Sequence, residues 1–157
     1  MSGADQKLLE HFRNPKNVGT IENADGYGRG ENPVNGYLTD IYIKVENGQI
    51  QDIKFKTFGC TVTIASASAL TEIVKGKTLE ELVEVENPIQ SLMNLIEIEL
   101  GGVPEKNWHC PPTAIQVLFT AISEFYKKQK NEKKRILLEK LLADLKLYIE
   151  KRLEEIE

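Results

Sequence analysis

Leu38-Thr39-Asp40-Ile41-Tyr42-Ile43-Lys44-Val45-Glu46-Asn47-Gly48-Gln49-Ile50-Gln51-Asp52-Ile53-Lys54-Phe55-Lys56-Thr57-Phe58 is the stretch whose reading decides the fold. Leu38, Ile41, Ile43 and Val45 come close to strict alternation, the period of a strand with one buried face. Asn47-Gly48 follows, the dipeptide that best accepts the two positive-φ positions of a tight hairpin turn. Ile50, Ile53, Phe55 and Phe58 form the return strand. The sequence therefore predicts antiparallel strands near 37–46 and 49–58, followed by helices.

Upstream, Leu8, Leu9 and Phe12 have helical spacing, which predicts a short helix over 4–12 that Asn14-Pro15 ends. Residues 13–36 are rich in turn formers. Gly26, Gly28 and Gly30 at alternate positions suggest a twisted edge strand, giving a third strand near 23–31, or a loop. They do not make a nucleotide-binding loop, because no GxGxxG spacing is present.

Downstream, Thr61–Lys75 is apolar and rich in small residues and reads as a helix stopped at Gly76. Thr78 with Glu81 forms a capping box for a short helix over 79–85. Residues 89–100 are amphipathic. Pro111-Pro112-Thr113 opens a strongly apolar helix over 114–126, proline being favoured in a first helical turn. Trp108 reads as a core or rim aromatic and Lys106 as a solvated charge.

The last segment changes character. From Lys127 to Glu157 there are ten Lys/Arg and seven Asp/Glu, a net of +3 within a chain of net charge −4. Leu138, Leu142, Leu145, Ile149 and Ile156 recur at steps of four and three, with Arg152 in the remaining place. Residues 130–156 thus read as a long helix. Its seam serves self-association as a short heptad pattern, or lies on its own domain as an ordinary amphipathic face.

The chain has 157 residues, the size of one domain, with 41% hydrophobic and 28% charged residues. That composition excludes disorder and fibres. No apolar run spans a bilayer, and Met1 to Phe12 contains no apolar signal block, so the expectation is a cytoplasmic protein with no membrane association. The acidic balance argues against nucleic acid as a partner.

Two cysteines, Cys60 and Cys110, lie fifty residues apart. Buried, inert thiols are the plain reading of such a pair. Each, however, stands immediately before a predicted helix. A helix N-terminus presents free N–H groups and partial positive charge, which stabilise a thiolate, the form that binds soft metals. His109 adds a nitrogen donor beside Cys110. Two helix starts carrying Cys and His-Cys can converge on one metal.

Several motifs in one order carry a family resemblance. Leu9-Glu10-His11-Phe12-Arg13-Asn14-Pro15-Lys16-Asn17-Val18-Gly19, Lys54-Phe55-Lys56-Thr57-Phe58-Gly59-Cys60, Ile64-Ala65-Ser66-Ala67-Ser68, Lys75-Gly76-Lys77-Thr78-Leu79-Glu80-Glu81 and His109-Cys110 together resemble the scaffold proteins of iron–sulfur cluster assembly, the IscU / NifU N-terminal family. The likeness runs from about residue 5 to 128. It implies an α/β (α+β) fold with a small three-stranded antiparallel sheet packed against helices. The expected organisation is a scaffold domain over 1–128 and a C-terminal helical extension over 129–157. The resemblance further implies a non-enzymatic scaffold that receives iron, takes sulfur from a cysteine desulfurase, builds a [2Fe–2S] cluster and passes it to acceptor apo-proteins. Cys60, His109 and Cys110 match family ligand positions.

The chain departs from the pattern at the first ligand. Where the family has Cys-Gly-Asp, this sequence reads Asn35-Gly36-Tyr37. Asn35 offers a neutral amide oxygen, a poor partner for a soft cluster, and Tyr37 is no carboxylate. Asp40, close by, reads as a surface strand acid. The chaperone-recognition stretch corresponds to Val103-Pro104-Glu105-Lys106-Asn107 and matches poorly. Two further functions stay open: a zinc protein using the same ligands, and a metal-free degenerate scaffold acting as an interaction module. With one ligand missing, a cluster is expected to bridge a homodimer through Cys60 and Cys110 of each chain.

Overall fold

The Leu38–Phe58 stretch folds as the hairpin that its alternation predicts. In the computed structural model, which describes residues 3–156 and side chains from residue 6, β2 (Leu38–Glu46) pairs antiparallel with β3 (Gln49–Thr57). Asn47 and Gly48 adopt φ of 53° and 75°, the left-handed pair that the turn demands. Ile41 faces Phe55 and Ile43 faces Ile53, and all four are buried on one side of the sheet. A bulge between Lys44 and Val45 shifts the register near the turn. Phe58, expected in the return strand, instead lies beyond its end with its ring 81% exposed.

The third strand, β1 (Gly26–Glu31), pairs antiparallel with β2, giving the sheet order β1-β2-β3. It starts three residues later than expected, since Asn23 turns at φ 59° and the chain joins the sheet only with Gly26. The alternate glycines now have a physical reason. Gly26, Gly28 and Gly30 pair with Ile43, Ile41 and Thr39 on the inward face, against which α5 (Cys110–Lys128) lies directly. A Cβ on Gly28 would fall 2.4 Å from the Val117 carbonyl oxygen, and one on Gly26 would fall 2.3 Å from that of Ala121. Glycine lets helix backbone rest on strand backbone with no side-chain layer between them.

On the outward face, Tyr27 and Arg29 cover Asp40. The guanidinium donates to both carboxylate oxygens at 2.7 and 3.0 Å, and the Tyr27 hydroxyl donates at 2.6 Å. Asp40 is therefore a covered ion-pair residue, not the surface acid expected. The Arg29 bond, with the help of Tyr27, holds its carboxyl below the usual range against the opposing effect of burial.

Helix α2 (Thr61–Val74) is the centre of the helical layer, and small size explains its place. Ala65, Ser66, Ala67, Ser68 and Ala69 are all buried, allowing α1 (Gly3–Arg13), α4 (Pro88–Leu100) and α5 to pack around it. Gly76, at φ 88°, turns the chain after it. The N-cap half of the capping box forms: Thr78 Oγ1 accepts the Glu81 N–H at 3.1 Å and starts α3 (Leu79–Val83). Helix α5 begins at Cys110, one residue before the expected opening at Pro111, with both prolines in its first turn.

The last helix, α6 (Glu132–Ile156), packs along α5. Leu138, Leu141, Leu145 and Ile149 are buried there, whereas Ile156 is 63% exposed. The residues read as a possible self-association seam thus meet the chain's own core, the second of the two readings. Leu141 is buried as well, and Leu142 is partly buried against the same core. No helix among the described residues is long and apolar enough to cross a membrane.

Candidate metal centre

The chain leaves β3 at Thr57, passes Phe58-Gly59 and enters α2 with Cys60 as its N-cap, at φ −75° and ψ 178°. Thr63, in the first turn, reaches back over that cap. Its Oγ1 lies 3.3 Å from Cys60 Sγ and 3.5 Å from Cys110 Sγ, so one hydroxyl links the two sulfurs. Gly59 makes room for it, since a Cβ there would fall 2.3 Å from Thr63 Cγ2. Cys110, the first residue of α5, is 2% exposed, whereas Cys60 is partly open to solvent.

The two thiols differ in acidity. Burial pushes Cys60 up, but hydrogen bonds from the Thr63 hydroxyl, from the N–H groups of Thr63 and Val62, and from Cys110 outweigh it, leaving the thiol below its ordinary value. These N–H donors belong to the helix start, as the sequence implied. For Cys110 burial wins, pushing the thiol up to about 11.

His109 precedes Cys110 and is 3% exposed, with Nδ1 3.7 Å from Cys110 Sγ. Burial lowers its pKa, partly opposed by a backbone hydrogen bond at Lys106, so the ring is neutral and able to coordinate. Trp108 stands edge-on to this ring at 5.7 Å between centroids. A cleft of about 390 Å³, lined by Val34, Trp108, His109, Arg152, Leu153 and Ile156, opens beside it.

The structure thus joins Cys60 to Cys110 through Thr63 and sets His109 beside Cys110, although the ligand atoms of the three do not all lie within 4.8 Å of one another. Asn35 is different: its Oδ1 accepts the backbone N–H of Tyr37 at 3.0 Å in an exposed turn. In the same loop the buried Asn32, 1% exposed, donates from Nδ2 to His109 Nδ1 at 2.9 Å. Sequence reasoning missed Asn32 and Thr63. Both left a signal. Asn before Pro favours a side-chain turn onto following N–H groups, and a hydroxyl three residues into a helix faces its N-cap.

A separate group has its ligand atoms gathered more closely. Among the described residues, His11, Glu72 and Glu99 place ligand atoms within 4.8 Å of one another. His11, however, is already engaged at both ring nitrogens, by Ser68 Oγ at 2.8 Å and Glu99 Oε1 at 3.0 Å. It acts as a cross-tie from α1 to α2 and α4.

Two thiols and an imidazole make a soft to borderline donor set, suited to iron or zinc rather than magnesium or calcium. Comparisons with known proteins agree with this chemistry. Residues 4–132 match the family described as NifU-like N terminal domain, and the chain belongs to that family. It is 45% identical over 122 residues to the iron-sulfur cluster assembly scaffold protein IscU 1 of Archaeoglobus fulgidus, covering 78% of this chain and 76% of that one. To the IscU scaffold protein of Aquifex aeolicus it is 43% identical over 131 residues, covering 80% and 77% of the two chains. The crystal structure of a hypothetical protein, 25% identical, superposes with a TM-score of 0.60 over 73% of this chain and 93% of the other.

Proposed function

We propose that this protein is an iron–sulfur cluster assembly scaffold or carrier that holds a [2Fe–2S] cluster as cargo and hands it to acceptor apo-proteins. The observation that carries the reading is the meeting of Cys60 and Cys110, from helix starts fifty residues apart, at the Thr63 hydroxyl. Scaffold relatives over most of the chain support it. Cys60 is the open, more acidic thiol and the entry point for iron. The buried Cys110 closes the site from behind, and His109 supplies a third donor. Sulfur comes from a cysteine desulfurase. The protein acts as a stoichiometric holder, without turnover of its own, in the cytoplasm.

A [2Fe–2S] cluster takes four protein ligands, two at each iron. One chain offers three, and the Asn35 oxygen is held by Tyr37. Two chains offer four thiolates, so the cluster bridges a homodimer. Phe58, 81% exposed and two residues before Cys60, gives that contact an apolar edge. Anaerobic reconstitution with iron and sulfide tests the reading. Visible cluster absorption that Cys60→Ser abolishes is expected. Zinc in the purified protein with no cluster formed would replace this function by a zinc site at the same ligands. Neither metal retained would leave an interaction module.

A further inference from the structure

Asn32 closes the loop after β1 with both its backbone and its side chain. Its N–H donates to the Tyr37 carbonyl and its own carbonyl accepts the Gly36 N–H, each at 2.9 Å. Its Oδ1 accepts the N–H of Val34 at 2.9 Å and, at 3.4 Å, that of Asn35. Two N–H donors on one amide atom identify that atom as the oxygen, so the NH2 is the group that faces His109. It donates to Nδ1 at 2.9 Å. A neutral imidazole that accepts at Nδ1 carries its proton on Nε2. Nδ1 is also the nitrogen on the sulfur side, 3.7 Å from Cys110 Sγ. The lone pair that a cation held by Cys60 and Cys110 would meet is therefore already occupied.

We propose that Asn32 is a positioning residue for metal capture and release: it holds Nδ1 of His109 in the metal-free chain, so the two thiols take an incoming soft cation first and His109 joins only when the Asn32 bond opens. The inference rests on the thiol-centred site proposed above. Asn32 is 1% exposed, and among the described residues its NH2 has no acceptor other than His109. Displaced, it is a buried donor without a partner, which drives it back onto Nδ1 as the cargo leaves. Competition between one amide and the metal for one nitrogen supplies a route to release.

Two measurements test this. Long-range 1H–15N correlation spectra of the metal-free protein should show His109 as the Nε2–H tautomer, and an Nδ1–H tautomer would overturn the proposal. Co(II) titrations of wild type, Asn32→Leu, His109→Ala and the double variant then form a cycle. Asn32→Leu should bind about tenfold more tightly, the weight of one hydrogen bond. His109→Ala should weaken binding by the loss of the third donor, and on that background Asn32→Leu should bring no gain. A thiolate–cobalt band with no coupling between the two positions overturns the positioning role and leaves the thiol site standing. No such band in wild type overturns both. Should Asn32→Leu not fold, Zn(II) loading of wild type decides: the Asn32 NH2 resonances must move, and unmoved resonances refute the displacement.

Discussion

The guanidinium of Arg152 lies 4.9 Å from the centre of the Trp108 ring, joining the end of α6 to the residue before His109. Tyr148, one turn earlier, meets the same ring edge-on at 6.4 Å. The final helix therefore does more than cover α5: it braces the loop that carries the imidazole. Arg152→Ala should lower stability by about 0.5–1 kcal/mol, the range of an exposed cation–π contact. Chemical denaturation, with Trp108 fluorescence as the probe, measures it. An unchanged midpoint and spectrum would show that the contact contributes nothing.

Deleting residues 130–157 removes Leu138, Leu145 and Ile149 from the core. The expected outcome is an uncovered α5, a lower unfolding temperature and aggregation. A well-behaved truncated protein of smaller oligomeric mass would show that the helix works between chains.

The two thiols should react at different rates and with different pH dependence. Iodoacetamide should modify Cys60 first, with a midpoint below the ordinary thiol value, while Cys110 stays protected until pH approaches about 11. Thr63→Val removes the shared hydroxyl and should move the Cys60 midpoint upward. The stability effects have opposite signs. The lowered Cys60 value adds stability that is present above the unfolded thiol value and is lost as pH falls through the folded one. The raised Cys110 value favours the fold below the unfolded thiol value, and that advantage is lost as pH climbs toward about 11. Mass-spectrometric alkylation across pH reads both thiols.

Gly28→Ala should be far more harmful than a surface substitution. The new Cβ meets backbone atoms of Val117 and Ala121, at 2.4 and 2.8 Å, and neither is a side chain that can swing away. A loss of about 3 kcal/mol is expected, which lowers the thermal midpoint by roughly 6–12 °C. Calorimetry of the metal-free protein checks this.

The cluster count separates the two ways of completing the ligand set. Reconstituted protein should contain about two irons per dimer and fall apart when the cluster is stripped. Two irons in a chain that stays monomeric would exclude the bridge. Asn35→Cys should move cluster retention toward the single chain, and no effect would show that position 35 does not face the site.

The hairpin, the helix order and the place of Cys60 and Cys110 at two helix starts were legible because each depends on local spacing. Alternation placed Ile41 against Phe55, and a cysteine before an apolar helical run placed Cys60 at a cap. What was not legible depends on register and on packing at a distance. Asp40 is covered because β1 pairs with β2 so that Arg29 sits opposite it, and no local pattern specifies that pairing. Asn32 meets His109 across 77 positions of sequence. The tail's seam fitted two partners equally well, and only the presence of α5 beside it decides between them. Asn35 invited a ligand role by its place in a motif, whereas its oxygen closes the turn that carries it.

Direct seating of α5 on the glycines of β1 has a mechanical consequence. Where side chains separate two elements, a small displacement of one is absorbed by rotamer adjustment before it reaches the other. Here there is no such cushion at Gly26 and Gly28, where the facing atoms of α5 are backbone. The loop holding Asn32 starts one residue beyond β1, and His109 and Cys110 stand at the head of α5. A push on the far end of the sheet, from a docking protein or a neighbouring chain, reaches both sides of the Asn32–His109 bond almost undamped. The framework works as a stiff lever with Nδ1 of His109 at its tip.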